Sequence, residues 1–229
     1  MSRMFTINGQ RVRTWNPIVG CNYLCHYCWA RDLAQGRLRH LERYQDGFTP
    51  KLVESELSKR FRNGLVFVSS MGDAFGPWVP RPWIEAVLVV VRESPGATFL
   101  FLTKNPARYL EFLDIMPRNV ILGATIETDS LRPSISRAPT VDSRVCAMAS
   151  IHGFRKMVSI EPIMEFDHNS FVTLISDISP EFVYLGMDNW KHKLPEPELK
   201  KTKLLIFTLE SFTEVRKKTI RKAWYEEGK

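Results

Sequence analysis

The 229-residue chain is short of several things. Its longest uninterrupted apolar run is Ala86–Val91, far below the roughly 20 residues needed to cross a bilayer as a helix, so no membrane span is expected. The start, MSRMFTINGQRVR, lacks the apolar stretch of a secretory signal, which makes the cytoplasm the expected compartment. There is no low-complexity tract, no block of like charges and no linker, so a single domain over residues 1–229 is the economical reading. Cysteine is scarce: of four, three crowd into Cys21, Cys25 and Cys28, and Cys146 is remote. That distribution is wrong for a disulfide framework and points to metal. A second C-x2-C pair and an H-x3–5-H pair are both missing, and a structural zinc site ordinarily takes its fourth ligand from one of them.

What is present is a globular composition, 44% hydrophobic and 25% charged, with a net charge of +7. The charge is uneven: residues 1–43 and residues 191–229 each carry +5, and the middle carries −3. Basic ends flanking a slightly acidic body suit a polyanionic partner such as nucleic acid, or an acidic electron-donor protein, although a merely solvated surface gives the same count.

Short β-rich runs recur at Val12–Pro17, Leu65–Ser70, Thr98–Thr103, Asn119–Ile126, Met157–Glu161, Phe182–Gly186 and Leu204–Thr208. Most are apolar throughout, as in parallel strands covered on both faces. Helical patterns lie between them at Trp29–Leu41, Pro82–Glu93, Pro106–Met116, Val141–His152 and Asp167–Ile178, with Tyr109, Leu110, Leu113 and Met116 on one stripe. Ser211–Glu227 reads as a last amphipathic helix with Ser211 and Glu214 as its capping box. Alternating β and α units predict an α/β fold, a partial (β/α)6 TIM-like barrel with its core over residues 12–190 and an extension over 191–229.

The chemistry begins at GCNYLCHYC. Cys21, Cys25 and Cys28 form C-x3-C-x2-C after the first strand. Three soft thiolates suit zinc or an iron–sulfur cluster. A buried helix stripe is the alternative, but the Gly-Cys-Asn entry looks like loop. In a parallel barrel, polar residues at strand C-termini face the site. That rule selects Lys104, Asn105, Thr125, Glu127, Ser159, Glu161, Asp188 and Asn189, unless the acidic ones merely cap helices. Trp78 and Trp190 also fall near strand ends, where either is placed to stack on a base or an adenine. Cys146 sits in SRVCAMASI and reads as a small packed residue.

The lone C-x3-C-x2-C with Tyr27 before its third cysteine resembles the radical S-adenosylmethionine superfamily. TWNPIVGC (Thr14–Cys21), VFVSSMGDAF (Val66–Phe75), FLTKNPARY (Phe101–Tyr109), LGATIET (Leu122–Thr128) and SIEPIM (Ser159–Met164) resemble one short branch of it. That branch is a phage- and archaeal-type family of unknown function, distantly similar to spore photoproduct lyase. The resemblance implies a [4Fe–4S] cluster on Cys21, Cys25 and Cys28 with one open iron, to which S-adenosylmethionine binds. It implies Tyr27 near the adenine. Ser70-Met71-Gly72-Asp73 stands where the superfamily has a Gly-Gly-Glu-like turn for the cofactor's ammonium, with Asp73 as the acid. Thr125, Glu127 and Ser159 fall on the cofactor side, with Glu127 at the ribose. Lys104, Glu161, Asp188 and Asn189 remain candidates for the pocket where the radical meets substrate. A flavodoxin or ferredoxin is the implied reductant, and the substrate is a nucleic acid or nucleotide, or else a peptide or small metabolite. A non-catalytic cluster- or zinc-bearing interaction protein is the reading from outside enzymology.

Overall fold

A computed structural model of the protein describes residues 6–7, 10–130 and 133–226. Its centre is one sheet of seven parallel strands in strictly sequential order. They are β1 (Arg13–Trp15), β2 (Gly64–Val68), β3 (Ala97–Thr103), β4 (Val120–Thr125), β5 (Arg155–Ile160), β6 (Phe182–Leu185) and β7 (Glu214–Lys217). The sheet curls into a half-barrel, the expected class of fold with one strand more than expected. No helix among the described residues is long and apolar enough to cross a membrane.

Helices cover the convex side, except the first, which packs with Val19, Tyr44, Phe48 and Met71 in a separate cluster. They are α1 (Trp29–Gln35), α2 (Arg81–Arg92), α3 (Val141–Ala149), α4 (His168–Ile178) and α5 (Leu199–Leu209), with a 3-10 segment at Pro106–Phe112. Local chemistry sets their starts. Pro82 occupies the first turn of α2, where its missing N–H costs nothing. The Thr140 and Asp167 side chains cap α3 and α4 by accepting from the Ser143 and Ser170 amides. Between helices and sheet lies the main core, which includes Trp15, Phe75, Phe99, Phe101, Tyr109, Phe112 and Phe171. The concave face is floored by a smaller apolar layer of Leu65, Phe67, Leu100, Ile121, Met157, Phe182 and Tyr184. Strand alternation thus sends every second side chain into each layer.

Two expectations fail at the C-terminal end. Leu204–Thr208 is not a strand but part of α5: Thr202, Leu205, Ile206 and Leu209 are its buried residues, a helical period that a run of β-formers disguised. Of the expected helix Ser211–Glu227, the described part up to residue 226 is not helical, so Ser211 and Glu214 form no capping box. It holds β7, a charged edge strand, followed by irregular chain. Smaller corrections follow. The first helix stops at Gln35, the Pro106–Met116 pattern is a 3-10 segment whose Leu110 is exposed, and Cys146 is exposed rather than packed.

The backbone is tight at the start of the cysteine loop. Gly20 adopts φ +81° and bridges to Gly72 in the turn after β2. A Cβ on Gly72 would lie 2.8 Å from the Gly20 carbonyl oxygen and 2.9 Å from its nitrogen. Backbone against backbone cannot yield as a flexible side chain would. Gly72→Ala is expected to destabilise the protein by about 1–3 kcal/mol, the usual cost of overpacking. Urea denaturation checks this, with a lowered midpoint at unchanged slope as the expected result.

Candidate active site

The cysteine loop is a run of bends and turns in which buried Tyr23, Cys25 and Tyr27 alternate with exposed Asn22, Leu24 and His26. Leu24 at φ +51° sets its turn. Its ends are pinned by the Cys21 amide donating to the Phe48 carbonyl (3.1 Å) and by the Cys28 amide donating to the Cys25 carbonyl (3.2 Å), and the His26 amide donates to Ile135 (2.8 Å). Tyr23, Cys25 and Tyr27 pack with Met164 and Leu194, and Cys21 and Cys28 lie against the same cluster. One small space therefore gathers all three thiols. The Cys28 sulfur accepts from the Arg31 amide at 3.4 Å and so caps α1, and the Cys25 sulfur lies 3.1 Å from the Ser136 hydroxyl.

The three cysteines are free. Burial raises the Cys21 thiol, and the negative field of Asp73 and of the other two cysteines adds to it against one amide hydrogen bond. Burial also raises Cys28, opposed by the amides of Arg31 and Ala30 and by the Arg31 charge. Bound iron would add positive charge and deprotonate the ligating thiols. Amide N–H groups aimed at sulfur and a buried Tyr23 hydroxyl without a hydrogen-bond partner among the described residues fit such a group. Among the described residues no three His, Cys, Asp or Glu side chains already stand as a ligand set for a metal ion. The cluster assignment therefore rests on donor chemistry and sequence spacing.

Behind the loop sits a buried charge node. Glu127, just past β4, accepts from the Tyr27 hydroxyl, from Lys104 Nζ at 2.6 Å and from Arg144 at 2.7 Å. Burial alone would raise its carboxyl, but the Lys104 and Arg144 charges, with hydrogen bonds from Lys104 and Tyr27, outweigh burial and hold it well below the usual carboxylate range. Arg144 comes from α3 and also donates to the Thr125 carbonyl at 2.6 Å. Glu127, expected at a ribose, thus spends its oxygens inside the protein.

The turn after β2 behaves likewise. Asp73 Oδ1 accepts from the Thr103 hydroxyl (2.6 Å) and the Phe75 amide (3.0 Å), and Oδ2 accepts from the Lys104 amide (2.9 Å). Burial raises its carboxyl despite these donors. Met71 is buried beneath α1, its carbonyl accepts from the Gly20 amide at 2.9 Å, and its own amide donates to the Asn16 side chain at 2.9 Å, which the Ser70 hydroxyl also reaches. Ser70-Met71-Gly72-Asp73 therefore seats the cysteine loop against the sheet.

Register places Thr125 beside Ser159, Ser159 beside Tyr184 and Tyr184 beside Arg216, a polar row above the apolar floor. Glu161 lies one step higher and pairs with Lys218 at 2.6 Å. Burial lowers the Lys218 ammonium, with Glu161 opposing. Asp188 accepts from the Trp190 and His192 amides (3.0 and 2.7 Å), and its Oδ1 meets the His192 ring at 2.9 Å. Burial would raise it, and those donors together lower it. Asn189 is exposed. A small cleft opens between the 128–140 segment and α3, lined by Glu127, Ser136, Arg144 and Met164 among others. Sequence reasoning missed Arg144, Asn16 and Lys218. An arginine amid the small residues of SRVCAM was the one available signal.

With this geometry in hand, the chain's relatives can be placed. The family described as "Protein of unknown function (DUF5131)" matches residues 10–225, and the chain belongs to that family. No curated protein matches. Among solved structures, a spore photoproduct lyase variant with dinucleoside spore photoproduct is similar at TM-score 0.62 and 11% identity, over 88% of this chain and 75% of that one. A spore photoproduct lyase variant with bound AdoMet and dinucleoside spore photoproduct is similar at TM-score 0.55 and 12% identity, over 87% of this chain and 61% of that one. The chain therefore spans less than two thirds of that protein, and at these identities the likeness is one of fold.

The node makes a sign-specific prediction. A carboxyl held low contributes stability that is fully present above its unfolded pKa, about 4.3 for glutamate, and is lost as pH falls towards its folded value. Glu127→Gln leaves two buried cations short of a partner and is expected to cost about 3 kcal/mol at pH 7. The stability gap between wild type and variant should stay constant above about pH 5 and narrow below about pH 4. Urea denaturation across that range measures it.

Proposed function

We propose that this protein is a radical S-adenosylmethionine enzyme whose [4Fe–4S] cluster is held by Cys21, Cys25 and Cys28. The observation that carries the proposal is three free thiols on one loop at the C-terminal mouth of a sequential parallel half-barrel. The likeness of fold to spore photoproduct lyase, one structure of which carries AdoMet, supports the same reading. When bound, the reduced cluster and S-adenosylmethionine would supply one-electron cleavage of a carbon–sulfur bond, giving methionine and a 5′-deoxyadenosyl radical that takes a hydrogen atom from substrate.

The protein's own residues bind, orient and exclude water. Tyr27 is fixed by Glu127 beside the thiols. Ser70, Met71, Gly72 and Asp73 set the height of the cysteine loop above the sheet. Thr125 and Ser159 form the polar row that faces the cofactor. Glu127 acts through Tyr27 as a positioning residue. Lys104, Glu161, Asp188 and Asn189 border the mouth where substrate enters. The proposed substrate is a nucleic acid or nucleotide, supported by the basic ends of the chain and by the dinucleoside ligands of the similar structures. A flavodoxin or ferredoxin is the proposed electron donor.

The test is anaerobic reconstitution with iron and sulfide, reduction with dithionite, addition of S-adenosylmethionine and chromatography of 5′-deoxyadenosine. The expected result is formation of 5′-deoxyadenosine by wild type and its loss, by at least about a hundredfold, in Cys25→Ala. Equal product from wild type and Cys25→Ala would sink the proposal, and zinc without a cluster would favour the interaction-protein alternative.

A further inference from the structure

The connection between β6 and α5 does more than join them. From Asp188 to Leu194 it reaches back across the mouth to the cysteine loop: Leu194 packs with Tyr23, Cys25 and Tyr27, and the His192 ring stands 5.8 Å from His26 and 3.8 Å from the Asp32 carboxylate on α1. This strap is anchored from below by Asp188, which holds the Trp190 and His192 amides and the His192 ring. Two of its residues, Lys191 and Lys193, adopt left-handed backbone at φ +60° and +54°, a costly conformation for residues other than glycine. The anchoring of His192 between them forces it. The consequence is outward display: both lysines are exposed and carry no ion pair among the described residues. Trp190 beside them is 60% exposed. Arg137, whose amide donates to the Tyr23 carbonyl, adds an exposed cation on the other flank of the cysteine loop. Asp32 is the acidic group facing this rim.

We infer that the strap Asp188–Leu194 is a docking surface for single-stranded nucleic acid, with Trp190 stacking on an unpaired base and Lys191, Lys193 and Arg137 meeting its phosphates. The occupant rests on the nucleic-acid reading of the substrate given above. Charge complementarity and scale favour it. One flat indole between point charges matches the stacking-plus-phosphate mode of single-strand binding. A protein partner would need an apolar centre within an interface of about 1,000 Å² or more, and Trp190 and Leu24 are the only exposed large hydrophobic residues described in these two loops. The strap lies at the barrel's mouth, so a strand held there presents its neighbouring nucleotide to the site.

The test is fluorescence anisotropy of a short labelled oligo(dT) with the reconstituted full chain, titrated at several salt concentrations. Trp190→Ala is expected to weaken binding about tenfold. Lys191→Ala with Lys193→Ala is expected to flatten the log–log salt slope by about 1.4, two phosphate contacts on a single strand. Lys203→Ala on α5 should keep wild-type affinity, and a duplex of equal length should bind more weakly. Unchanged affinity and slope in both strap variants would overturn the inference, as would loss of affinity for a flavodoxin rather than for the oligonucleotide. Cys25→Ala separates the two readings: it should lose 5′-deoxyadenosine formation while still binding oligo(dT). If wild type binds through Trp190 but forms no 5′-deoxyadenosine, the chemistry fails and the surface stands.

Discussion

A carboxylate buried behind three cysteines governs how this molecule is put together. Glu127 is 2% exposed, and removing a charge that completely from water costs several kcal/mol unless partners repay it. The repayment comes from three separate elements: the phenol of Tyr27 on the cysteine loop, the ammonium of Lys104 at the end of β3 and the guanidinium of Arg144 on α3. None of these can shift without leaving a buried charge short of a partner. The node therefore behaves as a clamp. It converts a loop that would otherwise be held by a few amide bonds into one whose aromatic side chain has a fixed address. Its cost in desolvation is the reason such clamps are placed where position matters more than stability, and the thiols on either side of Tyr27 are such a place.

The clamp works because two other constraints bring its parts within reach. Gly20 and Gly72 let the loop and the turn after β2 touch backbone to backbone, and Asp73 then ties that turn to Thr103 and to the amide of Lys104, so the residue that carries the ammonium is itself located. From the far edge of the half-barrel, the strap after β6 returns to lay Leu194 on Tyr23, Cys25 and Tyr27. A half-barrel leaves its mouth open on one side, and this return covers part of the opening. The tail after β7 braces the strap in turn: Arg221 donates to the Asp188 carbonyl and pairs with the buried Glu196, and the Trp224 indole donates to the Leu194 carbonyl. Arg221 and Trp224 thus help to build the mouth of the site.

That explains which features were legible in the sequence. The five strands β2 to β6 were, because each is a largely apolar, largely buried run bounded by turn chemistry. The cysteines and the strand-end acids were, because their spacing and position follow from the same parallel pattern. What escaped is what depends on partners distant in sequence. LLIFT reads as a strand by propensity and becomes a helix because Thr202, Leu205, Ile206 and Leu209 bury one side. EVRK has too few apolar residues to announce a strand, yet pairs in parallel with the whole of β6. Losing β7 hid Lys218, and with it the partner of Glu161. Arg144, 95% buried, was hidden because its carboxylate partner is supplied only by tertiary structure. Glu127 and Asp73 were singled out by their strand-end positions, but their engagement inward follows only from donors that tertiary structure supplies.

The concave face then divides by chemistry as well as by strand. Its floor is apolar from β2 to β6, and Tyr184, the residue of that floor with a polar group, joins it to the row above. Above the floor, the polar row of Thr125, Ser159, Tyr184 and Arg216 crosses from β4 to β7. On the cysteine side, every charge of the Glu127 node is committed to the protein, so what binds there meets a preorganised, rigid wall. On the far side, the Glu161–Lys218 pair is more accessible, with side chains 23% and 17% exposed, and Lys218 also stands 5.2 Å from the Tyr184 ring. A reactive species made beside the thiols would be bounded by groups that cannot move, and the substrate would be met by an ion pair that can rearrange. That asymmetry is the arrangement expected of a site that must restrain its cofactor tightly while admitting a separate substrate from the open edge of the sheet.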